Sequence, residues 1–171
     1  MKSAFIAFLA FITMASHGAL SGMLEIGTVQ IRATAPGMDV TGGYVAITNH
    51  GNSDDTLIAT SASFAKRVEL HEMTHDNGVM KMRRRGHGIG IPAGETVLLK
   101  PGGIHLMFMG LEESLRPGEM RQITLEFASG QTMTVPAVVL KPGDIKAGGH
   151  NHSHDGSEGH SGGYKHNHSH E

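Results

Sequence analysis

Residues 71–109 contain the side chains of this chain that are best suited to bind a metal ion. Five of the chain's eleven methionines lie in this stretch together with four histidines: Met73, Met80, Met82, Met107, Met109, His71, His75, His87 and His105. Several of them alternate with one other residue, as in His71-x-Met73, Met80-x-Met82 and His105-x-Met107. Residues two apart in a β-strand point to the same face of a sheet, so each pair can direct its donor atoms to one place.

The donor atoms of this stretch indicate copper. Thioether sulfur is a soft, uncharged ligand that suits Cu(I), and imidazole binds copper, zinc, iron or nickel. The chain has no cysteine, which excludes disulfide bonds, Cys-type zinc sites, thiol catalysis and a blue-copper centre. A mixed site of histidine and methionine is therefore predicted to hold copper in the cuprous state.

Ordinary packing is the alternative interpretation of the same residues. Methionine commonly fills hydrophobic cores, and His87 lies in a glycine-rich turn, which is typical of exposed residues. Leu106 and Phe108 alternate with His105 and Met107, which is also the pattern of a half-buried strand. The concentration of both residue types in a chain with only 5% aromatic residues favours the metal site.

The length and charge of the chain limit the classes of protein to consider. With 171 residues, of which 39% are hydrophobic, the chain is long enough for one domain with one core. The formal net charge of −2 provides no basic face, so nucleic acid is not expected as a partner.

Residues 1–21 are typical of a secretory signal peptide. Lys2 precedes an apolar run from Ala4 to Met14, and small residues follow it. The run is short for a membrane span, and no second apolar run is long enough to be one. We therefore expect export to the periplasm, with no membrane span after cleavage of the signal; an uncleaved anchor is the alternative.

Residues 22–143 are expected to form an all-β domain. Short segments rich in Val, Ile, Thr and Leu alternate in hydrophobicity and are separated by turns that contain glycine and proline. Nine strands are predicted: 26–31, 43–48, 56–61, 67–72, 79–84, 95–100, 104–109, 122–127 and 132–140. Short strands at regular spacing favour an antiparallel β-sandwich or barrel.

Three local features add detail to this prediction. The sequence Asp76-Asn77-Gly78 is typical of a tight turn that would lay the strands on either side of it together as a hairpin. Pro136 cannot donate a backbone hydrogen bond, so the last strand is predicted to lie at a sheet edge or to be broken there. The basic run Arg83-Arg84-Arg85 is either a solvated strand end or a docking site for an acidic patch on an acceptor protein.

Residues 144–171 differ in composition from the rest of the chain. From Gly148 onward there are seven histidines and six glycines but no large aliphatic side chain, so this tail is predicted to be disordered. A repeated His-Asn-His-Ser-His motif brings six imidazoles to alternate positions: His150, His152, His154, His166, His168 and His170. We expect them to bind Cu(II), zinc or nickel; a solubilising tail or an affinity tag is the alternative.

A set of short motifs runs through residues 24–140. They are Arg32 with Thr34-Ala35-Pro36, Gly43-Tyr44, Thr48-Asn49, Val68 to Met73, Gly78 to Arg83, Ile91 to Val97, Leu99 to Gly103, and His105 to Met107. As a set, these motifs resemble the periplasmic copper chaperone family called PCu(A)C. The resemblance implies a cupredoxin-like Greek-key β-sandwich or barrel with one exposed Cu(I) site.

The ligands implied by this resemblance are His71, Met82, His105 and Met107. Met80 shares a strand face with Met82, so either thioether can be the ligand, and Met73 and Met109 are implied as supporting or substitute sulfurs. Twenty-two residues separate Met82 from His105, one more than in the family's pattern. The turn at Arg85–Gly88 can take up the extra residue.

The resemblance also implies a role and partners. The role is delivery of copper in the periplasm to the binuclear CuA centre in subunit II of a cytochrome c oxidase, alongside a Sco-type chaperone, while the tail captures Cu(II). A periplasmic copper or zinc buffer for storage or resistance is the main alternative, which the His-rich tail supports. A redox enzyme with a copper site is the second alternative, but no acid/base pair, tyrosine or cysteine is predicted near the ligands, so the chain is not expected to be an enzyme. The third alternative is a structural β-domain, in which the His/Met pairs would belong to the hydrophobic core.

Overall fold

The computed structural model describes residues 23–146. They form eleven β-strands: β1 Leu24–Ile26, β2 Val29–Arg32, β3 Val40–Asn49, β4 Asp55–Ser61, β5 Ala65–Asp76, β6 Val79–Arg84, β7 Ile89–Ile91, β8 Thr96–Leu99, β9 Ile104–Leu111, β10 Met120–Phe127 and β11 Thr132–Leu140. A 3-10 helix, Pro142–Asp144, follows. In this part of the chain, no helix combines the length and the apolar character needed to cross a membrane. The predicted signal segment and all histidines of the predicted tail lie outside the described residues.

Nine of the strands form one hydrogen-bonded path in the order β6-β5-β9-β3-β2-β11-β10-β4-β7. Neighbours along this path are antiparallel except β2 and β11, which are parallel. Strand β3 belongs to two sheets, because Val40–Gly43 pairs with β9 whereas the second half of the strand pairs with β1 and β8. The prediction of an all-β domain is confirmed.

The hydrophobic core consists of alternate residues from most of these strands. Its largest fully buried side chains include Phe108, Phe127, Ile31, Ile47, Leu106 and Leu125. Burial of one such side chain contributes about 1.5–3 kcal/mol relative to exposure, which determines the face of each strand that turns inward. Since Leu106 and Phe108 of β9 point into the core, His105 and Met107 lie on the opposite face of that strand.

Two strand predictions need correction. The segment 26–31 is not one strand but two, because the chain leaves the sheet of β1 at Gly27 and Thr28 and enters the other sheet as β2. Strand β7 was not predicted, because the alternation of its three residues, Ile89–Ile91, is too short to be recognised in the sequence. Pairing with β4 maintains this strand.

The prediction about Pro136 is wrong. Strand β11 is unbroken and lies between β10 and β2 rather than at an edge. Val139 donates a hydrogen bond towards β10, to Glu119, whereas the carbonyl of Leu140 accepts one from Ala33 beside β2. Pro136 is four residues before Leu140, so its backbone groups point to the same side of the strand, and its nitrogen points towards β2. Pairing with β2 begins only at Ala137, and the missing donor therefore breaks no ladder bond.

The predicted hairpin is confirmed. Strands β5 and β6 pair in antiparallel fashion, and Asp76 opposite Val79 closes a two-residue loop. Asn77 and Gly78 both have positive φ angles, 50° and 80°, as a type I′ turn requires. The hairpin fixes which residues of β5 and β6 are neighbours, and β6 is the first strand of the sheet path.

Candidate metal site

The register of the strands brings the predicted donors onto one face of the sheet. His71 of β5 is directly opposite His105 of β9, and Met73 of β5 is opposite Met82 of β6. Directly paired residues of antiparallel strands share a face. Because Leu70 and Leu106, also a cross-strand pair, point into the core, all of these donors lie on the other face, which we call the outer face.

The two imidazoles are close neighbours with different hydrogen bonds. Their ring centres are 6.0 Å apart and the rings are tilted by 57°. His105 is only 5% exposed, and its Nδ1 lies 3.0 Å from the carbonyl oxygen of Gly103, an acceptor that requires Nδ1 to carry the proton. The Nε2 atom of His105 is then the one with a free lone pair.

His71 has the opposite arrangement. Its Nε2 lies 2.9 Å from the carboxylate of Glu69, which can only accept, so Nε2 carries the proton. Its Nδ1 is buried and has no hydrogen-bond partner within the described residues. A buried polar atom without a partner is costly in a folded protein. A metal ion on Nδ1 would remove that cost, which is a feature of a ligand rather than of a packed core histidine.

Glu69 is the carboxylate that orients His71. It also lies 3.6 Å from Arg67 Nε and 3.8 Å from Arg84 Nε. The hydrogen bond from His71, followed by the charges of Arg84 and Arg67, holds the pKa of Glu69 below its ordinary value, although partial burial acts in the opposite direction. The carboxylate is therefore ionised in the folded protein and remains an acceptor for His71.

The thioethers complete the outer face. A cavity of about 430 Å³ has Met38, Met82, His105 and Met107 among its lining residues. Gly42 of β3 is opposite Met107, and a Cβ there would lie 2.8 Å from the Tyr44 hydroxyl. The absence of a side chain at Gly42 therefore makes room for Tyr44, which lines the same cavity although no tyrosine was expected near the donors. Met82 is 48% exposed, so a partner molecule can reach the site directly.

The remaining predicted residues are distributed as follows. Met80 is opposite His75, one pair further from the imidazoles than Met82, and Met109 is opposite Val40 and Arg67 on the other side of Met107. His87 is exposed in the loop after β6. Met38 was missed by the sequence analysis, because it lies in the turn before β3 and no spacing relates it to the other methionines.

The basic run divides between the two faces of β6. Arg84 is opposite His71 and lies on the outer face, whereas Arg83 is opposite Glu72 and points to the other side. Arg85 forms an ion pair with Glu72 at 3.0 Å. Of the three arginines, only Arg84 therefore adds positive charge beside the donors.

The donor set fits a soft monovalent metal ion. A metal–imidazole bond is about 2 Å long, so rings whose centres are 6.0 Å apart can both bind one ion. Two imidazoles and two thioethers are neutral and soft, which suits Cu(I) better than Mg²⁺ or Ca²⁺. Glu69, whose carboxylate lies 2.9 Å from His71 Nε2, is already engaged with that ring.

Comparison with known protein families identifies a matching family. A family model described as "Putative lipoprotein LpqE-like" matches residues 24–139. A relative from Leifsonia xyli subsp. xyli, named "Putative lipoprotein Lxx21020", is 33% identical over 116 residues, which cover 68% of this chain and 69% of that protein.

Solved structures with the same fold are PCuAC domains. The copper-bound PCuAC domain from PmoF2 has a TM-score of 0.59 at 23% identity and covers 71% of this chain and 95% of that domain. The solution structure of CuI-DR1885 from Deinococcus radiodurans has a TM-score of 0.58 at 30% identity, with 75% and 87% covered. Its apo form has a TM-score of 0.56 at 28% identity, with 82% and 94% covered. The cupredoxin-like fold expected from the sequence is thereby confirmed.

Proposed function

We propose that this chain, which belongs to the LpqE-like lipoprotein family, is a copper chaperone. It binds Cu(I) through His71, Met82, His105 and Met107 and passes the ion to an acceptor protein. The observation that carries the proposal is the shared outer face, where two imidazoles with 6.0 Å between ring centres lie beside exposed thioethers. The description of the neighbours CuI-DR1885 and the PmoF2 domain as copper-bound supports it.

The hydrogen bonds of the imidazoles suggest which atoms bind copper. His71 is held by Glu69 through Nε2 and offers Nδ1, whereas His105 is held by Gly103 through Nδ1 and offers Nε2. Metal-binding histidines usually donate their second ring N–H to a carboxylate or a carbonyl, which fixes the ring orientation. The two ligands would therefore use different ring nitrogens.

The chemistry of the site suits transfer rather than storage. Neutral thioethers and imidazoles bind Cu(I) without the negative charge of a thiolate, so an acceptor with thiolate ligands binds the ion more tightly. Copper then moves to the acceptor by exchange of one ligand at a time. The exposure of Met82 allows the first ligand of the acceptor to approach. No bond of a substrate is made or broken, so we propose a carrier and not an enzyme.

The location and the acceptor are proposed from the signal-like N-terminus and the resemblance to PCu(A)C proteins. The chain would be exported to the periplasm, and the acceptor would be the CuA centre in subunit II of cytochrome c oxidase, with a Sco-type chaperone as a further partner. The family description names a lipoprotein, yet the 171 residues contain no cysteine. None of them can therefore carry a cysteine-linked lipid.

The first test is a competitive Cu(I) titration of residues 22–147, which include the complete β domain but none of the tail histidines. We expect one tightly bound Cu(I), and we expect Met82→Ala and His105→Ala each to weaken binding by at least roughly tenfold. Met120→Ala is the matched control, because Met120 is 61% exposed on β10, away from the donors. If no Cu(I) binds, or if the control behaves like the two ligand variants, the chaperone proposal fails.

The tail is proposed to capture Cu(II) and to raise the local copper concentration beside the β domain. Deletion of residues 148–171 should slow loading of the Cu(I) site from Cu(II) and a reductant. Unchanged loading would contradict this role. The alternative function, a periplasmic copper or zinc buffer, is supported by the six repeated tail histidines, and it would be favoured if the tail bound metal while the β domain bound no Cu(I).

A further inference from the structure

The β5–β6 hairpin carries more soft donors than one copper site uses. On the outer face, His75 is opposite Met80, and the next pair towards the site is Met73 opposite Met82. The pair after that contains His71, which is itself opposite His105 of β9. Donors thus continue along the outer face from the tip of the hairpin to the buried imidazole of His105.

The spacing within each pair is short. Leu70 and Arg85 are joined by a backbone hydrogen bond, so even-numbered residues of β5 form the hydrogen-bonded pairs with β6. His75–Met80 and Met73–Met82 are therefore non-hydrogen-bonded pairs, in which the Cα atoms are about 4.5 Å apart and the side chains are closest. Successive pairs on the same face are about 7 Å apart. A metal ion bound at one pair is therefore within reach of the long thioether side chains of the next.

Exposure changes along this series of donors. His75 is exposed and Met80 is 44% exposed, whereas His105 at the other end is 5% exposed. Adjacent exposed apolar side chains are more informative than a single one, and Met80 and Met82 are both exposed on the same face of β6. The charged side chains of the hairpin tip, Asp76 and Lys81, pair with each other and belong to the opposite face by strand parity. The outer face of the tip therefore offers neutral donors only.

We infer that His75, Met80 and Met73 form a second, outer Cu(I) site, through which copper enters and leaves the inner site. The inference rests on the proposed function, because the inner site is the one proposed above. Transfer between the sites is ligand exchange without redox change. Bonds from Cu(I) to His75 and Met80 are replaced in turn by bonds to Met82 and His71, and the ion remains Cu(I) throughout. The outer site would bind Cu(I) more weakly than the inner site, because it is open to water.

Methionine methyl NMR can test this on the full chain. The tail from residue 148 contains no methionine, so copper bound only to tail side chains has no bond to any of the observed thioethers. Cu(I) is added anaerobically, with ascorbate present, until the signals stop changing. We expect Met82 and Met107 to shift first and Met80 to shift in a later, separate step. Met73 neighbours Met82 and can shift in either step, so Met80 is decisive.

Matched variants test whether the later step requires His75 and Met80 or arises at any exposed methionine. The double variant His75→Ala/Met80→Leu should lose the later step, retain the first one, and load its inner site more slowly than the unmodified chain. Met120→Leu, which removes an exposed methionine that has no imidazole opposite it on β11, should change none of these. If Met82 and Met107 shift but Met80 never does, the outer site is refuted and the chaperone proposal stands. If Met82 and Met107 do not shift either, the proposed function itself fails.

Discussion

The two faces of strands β5 and β9 differ in role, because one packs into the core and the other carries the donors. Both faces consist of alternate residues of the same strands. On the inner face, Leu70, Leu106 and Phe108 are at most 5% exposed and belong to the core. On the outer face, the neighbouring residues His71 and His105 lie opposite each other with their free nitrogens available. Along both strands, each of these core residues is therefore adjacent in the sequence to a residue of the outer face.

This comparison indicates how a small domain can hold a reactive site on a rigid support. Alternation in a strand separates side chains by 180°, so the packing of Leu70 and Leu106 fixes the register that pairs His71 with His105. Changes on the inner face should therefore reduce stability, and changes on the outer face should reduce copper binding. Substitutions of adjacent residues can test that separation.

The largest effect is expected from Phe108→Ala. Phe108 is fully buried and packs against Phe64 with 5.2 Å between ring centres, so truncation should cost about 3–5 kcal/mol of unfolding free energy. Urea unfolding measures this loss. Met107→Ala, one residue away on the outer face, should cost much less stability but should weaken Cu(I) binding. Equal losses of stability would contradict the separation of the two faces.

His71→Ala should produce the next largest effect. It removes a ligand with its oriented nitrogen, so the dissociation constant for Cu(I) should rise by roughly a hundredfold or more. The buried Nδ1 has no hydrogen-bond partner within the described residues, and its removal offsets part of the loss of the hydrogen bond to Glu69, so the melting temperature of the copper-free protein should fall only slightly. Leu70→Ala is the matched neighbour and should have the opposite result, with lower stability and unchanged affinity of the folded fraction. A large loss of copper-free stability in His71→Ala would indicate a packing role instead.

Glu69→Ala tests the residue that holds His71. Loss of an oriented hydrogen bond to a metal-binding histidine typically weakens metal affinity about 10–100-fold, and Glu69→Gln, which keeps an acceptor oxygen, should retain part of the affinity. Glu72→Ala is the control, because Glu72 lies on the other face of β5 and pairs with Arg85. The same Cu(I) titration measures all three. If Glu69→Ala binds copper as the unmodified chain does, His71 does not depend on this carboxylate.

The smallest effect concerns an ion pair remote from the outer face. Arg121 donates a hydrogen bond to Glu119 at 2.8 Å and lies over the ring of Phe64. This bond, followed by a backbone hydrogen bond from Arg116, holds the pKa of Glu119 below its ordinary value. A carboxyl group with a lowered folded-state pKa stabilises the fold above its unfolded pKa of about 4.3, and that contribution disappears as the pH falls through the folded value.

Glu119→Gln should therefore have a lower melting temperature than the unmodified chain near neutral pH, and the difference should shrink as the pH falls below about 4. Thermal unfolding between neutral and acidic pH provides the measurement. Glu126→Gln, an exposed residue of the same strand, is the control. A difference that stays constant with pH would exclude the ion pair as its cause. Copper affinity should not change in either variant.

Much of this architecture could be predicted because local chemistry determines it. The hairpin follows from Asn77 and Gly78, which tolerate the positive φ angles of the turn, and this local turn alone sets Met73 opposite Met82. The strand β7 and the position of Pro136 could not be predicted in the same way. Both depend on strands distant in the sequence: β4 pairs with β7, and the pairing of β11 with β2 begins only after Pro136.

The sequence by itself determined which donors are present and which of them share a face, because strand parity and turn chemistry are properties of neighbouring residues. It also determined that no thiolate contributes, since the chain contains no cysteine. Only the tertiary structure decided that His71 meets His105 and that Glu69 holds one ring while Gly103 holds the other. These residues come from β5 and β9, whose register is selected by the shared core and not by any local signal. For the same reason, Met38 joins the site only in the folded chain.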